Sequence, residues 1–173
     1  MTPFTAGEIG ELLVERGWLA AGRDPTADGA HQAWFKRAAD LLGPHAADRA
    51  ALSDLLALIF HYDAAALLRE PAGPAVLVRE GSRDVIRELA NRVLAIDTID
   101  SDRFKEIINA IKAAVPQRSR ELLHPVRLAL AGRAGPGELD RVILLLDSAA
   151  SLEFAVPVKG TRQRMLEFCA ALD

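Results

Sequence analysis

Apolar side chains recur along this chain at the spacing of an α-helix, and that periodicity limits the fold more than any other feature. Leu52, Leu55, Leu56, Ile59 and Phe60 fall at i, i+3, i+4, i+7 and i+8, on one face of a 3.6-residue turn. The same stripe returns as Ile9, Leu12 and Leu13, as Trp34, Ala38 and Leu41, and as Ile86, Leu89, Ala90 and Val93. It continues with Phe104, Ile107, Ile108, Ile111 and Val115, then Leu139, Val142, Ile143 and Leu146, and last Met165, Phe168, Cys169 and Leu172. A helix with one apolar face must bury it against another element, and here the available partners are other helices.

Punctuation between the stripes places the ends. Thr5-Ala6-Gly7-Glu8 reads as a capping box, the threonine covering a free backbone N–H while the glutamate reaches back. A loop with Gly22, Pro25 and Gly29 follows, and Asp28 is placed to cap the next helix. Gly43-Pro44 ends that helix, and a short one is expected over residues 64–69. Pro71-Ala72-Gly73-Pro74 breaks the chain. Val76-Leu77-Val78 has no second strand to pair with and is expected as irregular chain or a helical turn. Ser82 and Ser101 are the expected caps of the two following helices. Pro116 terminates the second of these, residues 117–123 suit a short helix, and Pro125 suits the first turn of the next. Gly132 to Gly137 reads as a turn. No internal repeat is present. The expected class is all-α, two helical bundles in tandem, over residues 1–75 and 76–173.

Composition supports a buried aliphatic core, since half of the 173 residues are hydrophobic and only 5% aromatic. No apolar run approaches the roughly 20 residues of a membrane-spanning helix, and the first ten residues lack a signal peptide's basic and apolar regions. A soluble cytoplasmic protein without membrane contact is expected. Cys169 is alone, which excludes an internal disulfide, and its place on an apolar stripe suggests a buried thiol.

Catalytic chemistry finds little support. The chain has no phosphate-binding Gly-rich loop with a following Lys-Ser or Lys-Thr, and no G-x-G-x-x-G after a strand. His31, His45, His61 and His124 stand apart, without a ligand partner at a convincing spacing, so no metal is expected. His61-Tyr62-Asp63 are consecutive and point in different directions from a helix. No cofactor and no catalytic residue are expected.

The cations are more informative. Net charge is −3, which argues against binding nucleic acid through bulk electrostatics. Between Asp102 and Arg133, however, seven basic residues (Arg103, Lys105, Lys112, Arg118, Arg120, Arg127, Arg133) face three acidic ones, a local +4. Clustered Lys and Arg recognise phosphate, and guanidinium groups stack on unpaired bases; a merely solvated helix face has the same composition.

The segment Leu122-Leu123-His124-Pro125-Val126-Arg127-Leu128-Ala129-Leu130-Ala131-Gly132-Arg133 resembles the C-terminal signature of bacterial glutamyl-tRNA synthetases. So do the Gly135-Pro136-Gly137-Glu138-Leu139 turn, the Val142–Leu146 helix after it, and Phe104-Lys105-Glu106 upstream. Gly17-Trp18-Leu19, the Trp34 helix, and Leu52-Ser53-Asp54-Leu55 with Phe60 and Asp63 extend the likeness loosely to the family's first anticodon-binding subdomain. The resemblance covers roughly residues 10–147. It implies anticodon recognition by the Pro-x-Arg arginine and the turn that opens the next helix, here Arg127, Pro136, Gly137 and Leu139. Arg127 and Arg133 are the residues expected to carry RNA contact, with Lys112, Arg118 and Arg120 in support. Arg127 has a second reading, as the partner of a carboxylate between two helices.

The chain departs from the family pattern as well. Ala131-Gly132 replaces Thr-Gly, residues 148–159 look like an added loop, and the arginine of the first subdomain has no counterpart. The synthetases' ATP-binding His-x-Gly-His and Lys-Met-Ser-Lys-type motifs do not occur, and Lys159-Gly160-Thr161-Arg162 is no substitute. The resemblance therefore implies a non-catalytic tRNA-binding homologue, with glutamate tRNA the first candidate. The alternatives are a protein-interaction module that docks on a synthetase or on itself, and one part of a split synthetase.

Overall fold

The computed structural model describes residues 3–20 and 29–172, so the expected Gly22–Pro25 loop and the Asp28 cap lie outside the described residues. Among these residues it holds ten α-helices, one short 3-10 turn and no strand. The helices are α1 (Ala6–Glu15), α2 (Gly29–Leu42), α3 (Arg49–Phe60), α4 (Ala64–Arg69) and α5 (Ala72–Leu77). They continue as α6 (Ser82–Val93), α7 (Ser101–Ala114), α8 (Arg120–Ala131), α9 (Glu138–Ala150) and α10 (Thr161–Leu172). The fold is all-α.

Local sequence explains most ends. Thr5 and Glu8 form the reciprocal capping box that opens α1, each accepting a backbone N–H of the other at 3.2 Å. Asp48 and Asp63 cap α3 and α4 through side-chain bonds to the N–H groups of Ala51 and Ala66. Two expected caps move by one residue. Asp100, not Ser101, caps α7 by accepting from Arg103 N–H at 2.8 Å; Gly81 in a left-handed conformation precedes α6, and the Ser82 hydroxyl donates instead to Val76 O at 2.8 Å. Val76 and Leu77 lie in the helical turn α5.

The stretch expected as two helices around Pro125 is one helix, α8, with Pro125 inside it. The carbonyl that loses its partner there belongs to Glu121, on the exposed first turn, where water can replace the missing N–H. Residues 148–150 of the expected added loop extend α9, and residues 151–160 run on without helix. Cys169 is part-buried rather than fully buried.

The buried apolar residues form one contiguous cluster. Helix α9 packs against α2, α3 and α8, while α10 packs against α4, α6 and α8, so the last two helices touch both halves of the chain. The expected boundary at residue 75 falls within α5. The 151–160 segment is sewn to the first half: Ala155 N–H donates to Trp18 O at 2.7 Å, and the Phe154 ring lies edge-on to Phe60 and Trp34 at 5.1 and 5.5 Å.

Arg164 on α10 is fully buried among backbone carbonyls. Its guanidinium donates to Leu58 O and Ile59 O in the last turn of α3, to Leu130 O in the last turn of α8, and to Lys159 O, all at 2.8–3.0 Å. Carbonyls in a last helical turn lack intrahelical partners, and the negative end of a helix favours a cation. One side chain therefore closes two helices. The Tyr62 ring lies 4.7 Å from this guanidinium, and its hydroxyl donates to Ala129 O at 2.6 Å. Burial pushes the Arg164 pKa down to about 10, opposed by Tyr62, Glu167 and Asp147, and pushes that of Tyr62 up.

Candidate nucleic-acid interface

Helix α8 and the turn after it carry most of the expected site. Gly132 ends α8 in a left-handed conformation (φ 84°), which glycine adopts without Cβ strain. The chain then exposes Arg133, Pro136 and Gly137 before α9 begins at Glu138. Behind this turn Arg127 is only 7% exposed. Its Nε and Nη2 donate to the two carboxylate oxygens of Asp140 at 2.8 and 3.1 Å, and its Nη1 donates to Gly135 O at 2.8 Å. The planar fork thus spans helix α8, the turn and the first turn of α9. Of the two readings of Arg127, the pairing with a carboxylate between two helices is present in the structure. Leu139 is 1% exposed and packs into the core, so its side chain offers no open surface to a base.

Of the other expected residues, Arg118 and Arg120 stand at the opposite end of α8, and Lys112 lies on α7. Lys112 is exposed near the end of α7; Arg118 and Arg120 are exposed just before and at the start of α8. Arg118 donates to Val115 O and Gln117 O, both at 2.7 Å, and bends back over this connection. Ser119 has φ 54°, the left-handed region that costs a non-glycine residue strain. Helix α8 is about 18 Å long at 1.5 Å per residue. Arg118 just before it, Arg120 at its start and Arg133 after it therefore stand at its two ends.

Between these ends lie residues that sequence reasoning did not place in the site. His124 follows Arg120 by four residues on the same face of α8, and Arg79, from the α5–α6 connection, brings Nη1 to 3.1 Å from His124 Nδ1. Arginine has only donors, so Nδ1 accepts and the imidazole is neutral. Partial burial, then Arg79, Arg127 and Arg120, push the His124 pKa below its ordinary value, with Glu121 opposing. Helical spacing was the available signal for His124. Arg79 is 45 residues away in sequence and gave none.

Three further facts bound the chemistry. Among the described residues no group of three His, Cys, Asp or Glu is placed to hold a metal ion. No described helix is long and apolar enough to cross a membrane. The remaining histidines are engaged in the fold: Trp18 Nε1 donates to His61 Nε2 at 3.3 Å, Arg141 Nε to His45 Nε2 at 2.7 Å, and His31 Nε2 lies 2.6 Å from Glu153 O.

Comparison with known proteins decides the family. Residues 10–153 match the model of the anticodon binding domain. The chain belongs to that family. The anticodon-binding match takes in most of α1 and all of α2 to α9, and α10, which supplies the buried Arg164, lies beyond it. The chain is 27% identical over 143 residues to the glutamate–tRNA ligases of Bacillus thuringiensis (strain Al Hakam) and Bacillus anthracis, a span of 82% of this chain and 26% of each ligase. It is 25% identical over 139 residues to that of Bacillus licheniformis, covering 80% of this chain and 28% of the ligase. The chain thus spans about a quarter of the length of the curated relatives it matches. No solved structure matches it.

Proposed function

We propose that this chain is a non-catalytic tRNA-binding protein that receives an anticodon arm on the α8–α9 side of the fold. The observation that carries the reading is the family match over residues 10–153, which includes the whole of α8, the turn and α9. Arg133, Pro136 and Gly137 present an exposed cation and turn to unpaired bases, while Arg127, held by Asp140 and Gly135, fixes the shape of that turn. Leu139 acts from beneath, as the apolar anchor of α9. Lys112 on α7 and Arg118 and Arg120 at the other end of α8 contact the RNA backbone, where phosphate contacts set register rather than sequence. The ligases' names make glutamate tRNA the first RNA to test.

The same reading assigns no aminoacylation to this chain, whose role ends at binding. Nuclease footprinting on glutamate tRNA tests it. Protection confined to the anticodon arm supports the proposal; protection elsewhere, or none, contradicts it. Retention by a synthetase without RNA would instead favour the docking module.

A further inference from the structure

We infer that Arg79, Arg120 and His124 form a phosphate-binding site on the flank of α8, separate from the α8–α9 turn. The three side chains come from two distant segments that the fold brings together: Arg120 and His124 share a helix face, and Arg79 reaches it from the α5–α6 connection. A bond from Gln117 Nε2 to Glu80 O at 3.3 Å ties that connection to the chain entering α8. The charges that act on His124 are Arg79, in contact from the neighbouring segment, and Arg120, Arg127 and Glu121 on its own helix. Arg127 is already neutralised by Asp140. Among the described residues neither Arg79 nor Arg120 has a carboxylate at ion-pair distance. Arg79 rests instead on a neutral imidazole, which leaves its charge available.

The chemistry of the missing partner follows. A tetrahedral oxyanion seated between Arg79 and Arg120 accepts from both guanidinium groups and from a protonated His124. Arg79 and a protonated Nδ1 would repel each other in the free protein, and an anion between them removes that penalty. Binding therefore takes up a proton on His124 and strengthens as pH falls through the interval between its free and bound pKa values. His124 lies nine residues before Arg133, on the order of 13 Å along the helix axis, so this site contacts a different part of a ligand from the turn. The inference rests on the tRNA reading for the source of the phosphate.

The test follows the His124 ring signal by NMR, identified by its loss in His124→Gln, across a pH series. The probes are an anticodon stem-loop of glutamate tRNA and, separately, inorganic polyphosphate. The expected result is a raised His124 pKa with both. Stem-loop affinity should rise roughly three- to tenfold as pH falls through the histidine range, and this dependence should vanish in His124→Gln. Arg79→Ala, at an exposed position, should weaken binding by a similar factor and reduce the salt slope by about one. If the stem-loop binds wild type, Arg79→Ala and His124→Gln alike, the inference is overturned and the tRNA reading stands. A polyphosphate shift without stem-loop binding keeps the phosphate site and removes the tRNA reading. An unmoved His124 signal with both probes overturns the site.

Discussion

Arg127 and Asp140 face each other across the α8–α9 turn in a two-pronged pair, Nε to Oδ1 at 2.8 Å and Nη2 to Oδ2 at 3.1 Å. The arginine side chain is 9% exposed and the aspartate 27%, so the pair is largely withdrawn from water. Removing either partner strands a charge at low exposure. Asp140→Ala and Arg127→Ala should each cost about 2–4 kcal/mol in urea unfolding, and the double variant distinctly less than their sum. Additive losses would mean that the two residues do not stabilise the turn as a unit.

Arg164 ties α10 to the last turns of α3 and α8. Arg164→Met leaves the carbonyls of Leu58, Ile59 and Leu130 without their donor in a dry interior, with an expected loss on the order of 3–5 kcal/mol. Arg162 on the same helix also donates to a carbonyl, Leu94 O at 2.8 Å, but from an exposed position. Arg162→Met should cost less than about 1 kcal/mol. Equal losses in the two variants would contradict the cap assigned to Arg164.

Most of the helices, and few of the polar ties between them, were legible in the sequence. Stripes such as Leu52–Phe60 and Leu139–Leu146 specify helices because burial on one face dictates their period. The Thr5 cap holds, while Ser82 and Ser101 each miss by one residue and the caps of α3 and α4, Asp48 and Asp63, were not read; Ser101 gives way to Asp100, whose carboxylate is the stronger acceptor for a free N–H. Pro125 misled because a proline near a helix start is compatible with both one helix and two. The knot of Arg164, Tyr62 and Ala129 was invisible, since its members are scattered over about a hundred positions and only packing unites them. In the candidate site the composition pointed to α8 but not to which of its arginines face water. Arg127 is committed to Asp140, and Arg79 joins the surface from another segment.

Gly132 supplies a narrower test. At φ 84° an alanine is strained, although its Cβ would make only ordinary contact with the Tyr62 ring at 3.6 Å. Gly132→Ala should cost about 1–2 kcal/mol, measured by thermal or urea unfolding. At Gly73 the added Cβ would collide with the Leu67 backbone carbonyl, so Gly73→Ala should cost more. The reverse order would contradict the close approach of α4 and α5.

The lowered pKa of His124 has a sign that can be checked in the absence of RNA. Its folded-state pKa lies below the unfolded value, so between them the unfolded chain binds more protons. Stability contributed by this site is complete above the unfolded pKa and declines as pH falls through the interval. His124→Gln should flatten the pH dependence of the urea midpoint in the mildly acidic range. An unchanged profile would show that His124 does not titrate differently on folding.

Direct titration of tRNA tests the central claim most plainly, with fluorescently labelled glutamate tRNA and an unrelated tRNA at two salt concentrations. The expected result is tighter binding of glutamate tRNA, weakening at higher salt, with Arg133→Ala reducing affinity and Lys112→Ala chiefly lowering the salt slope by about one. Absence of binding at low salt, or equal binding of both tRNAs unaffected by either substitution, would contradict the account.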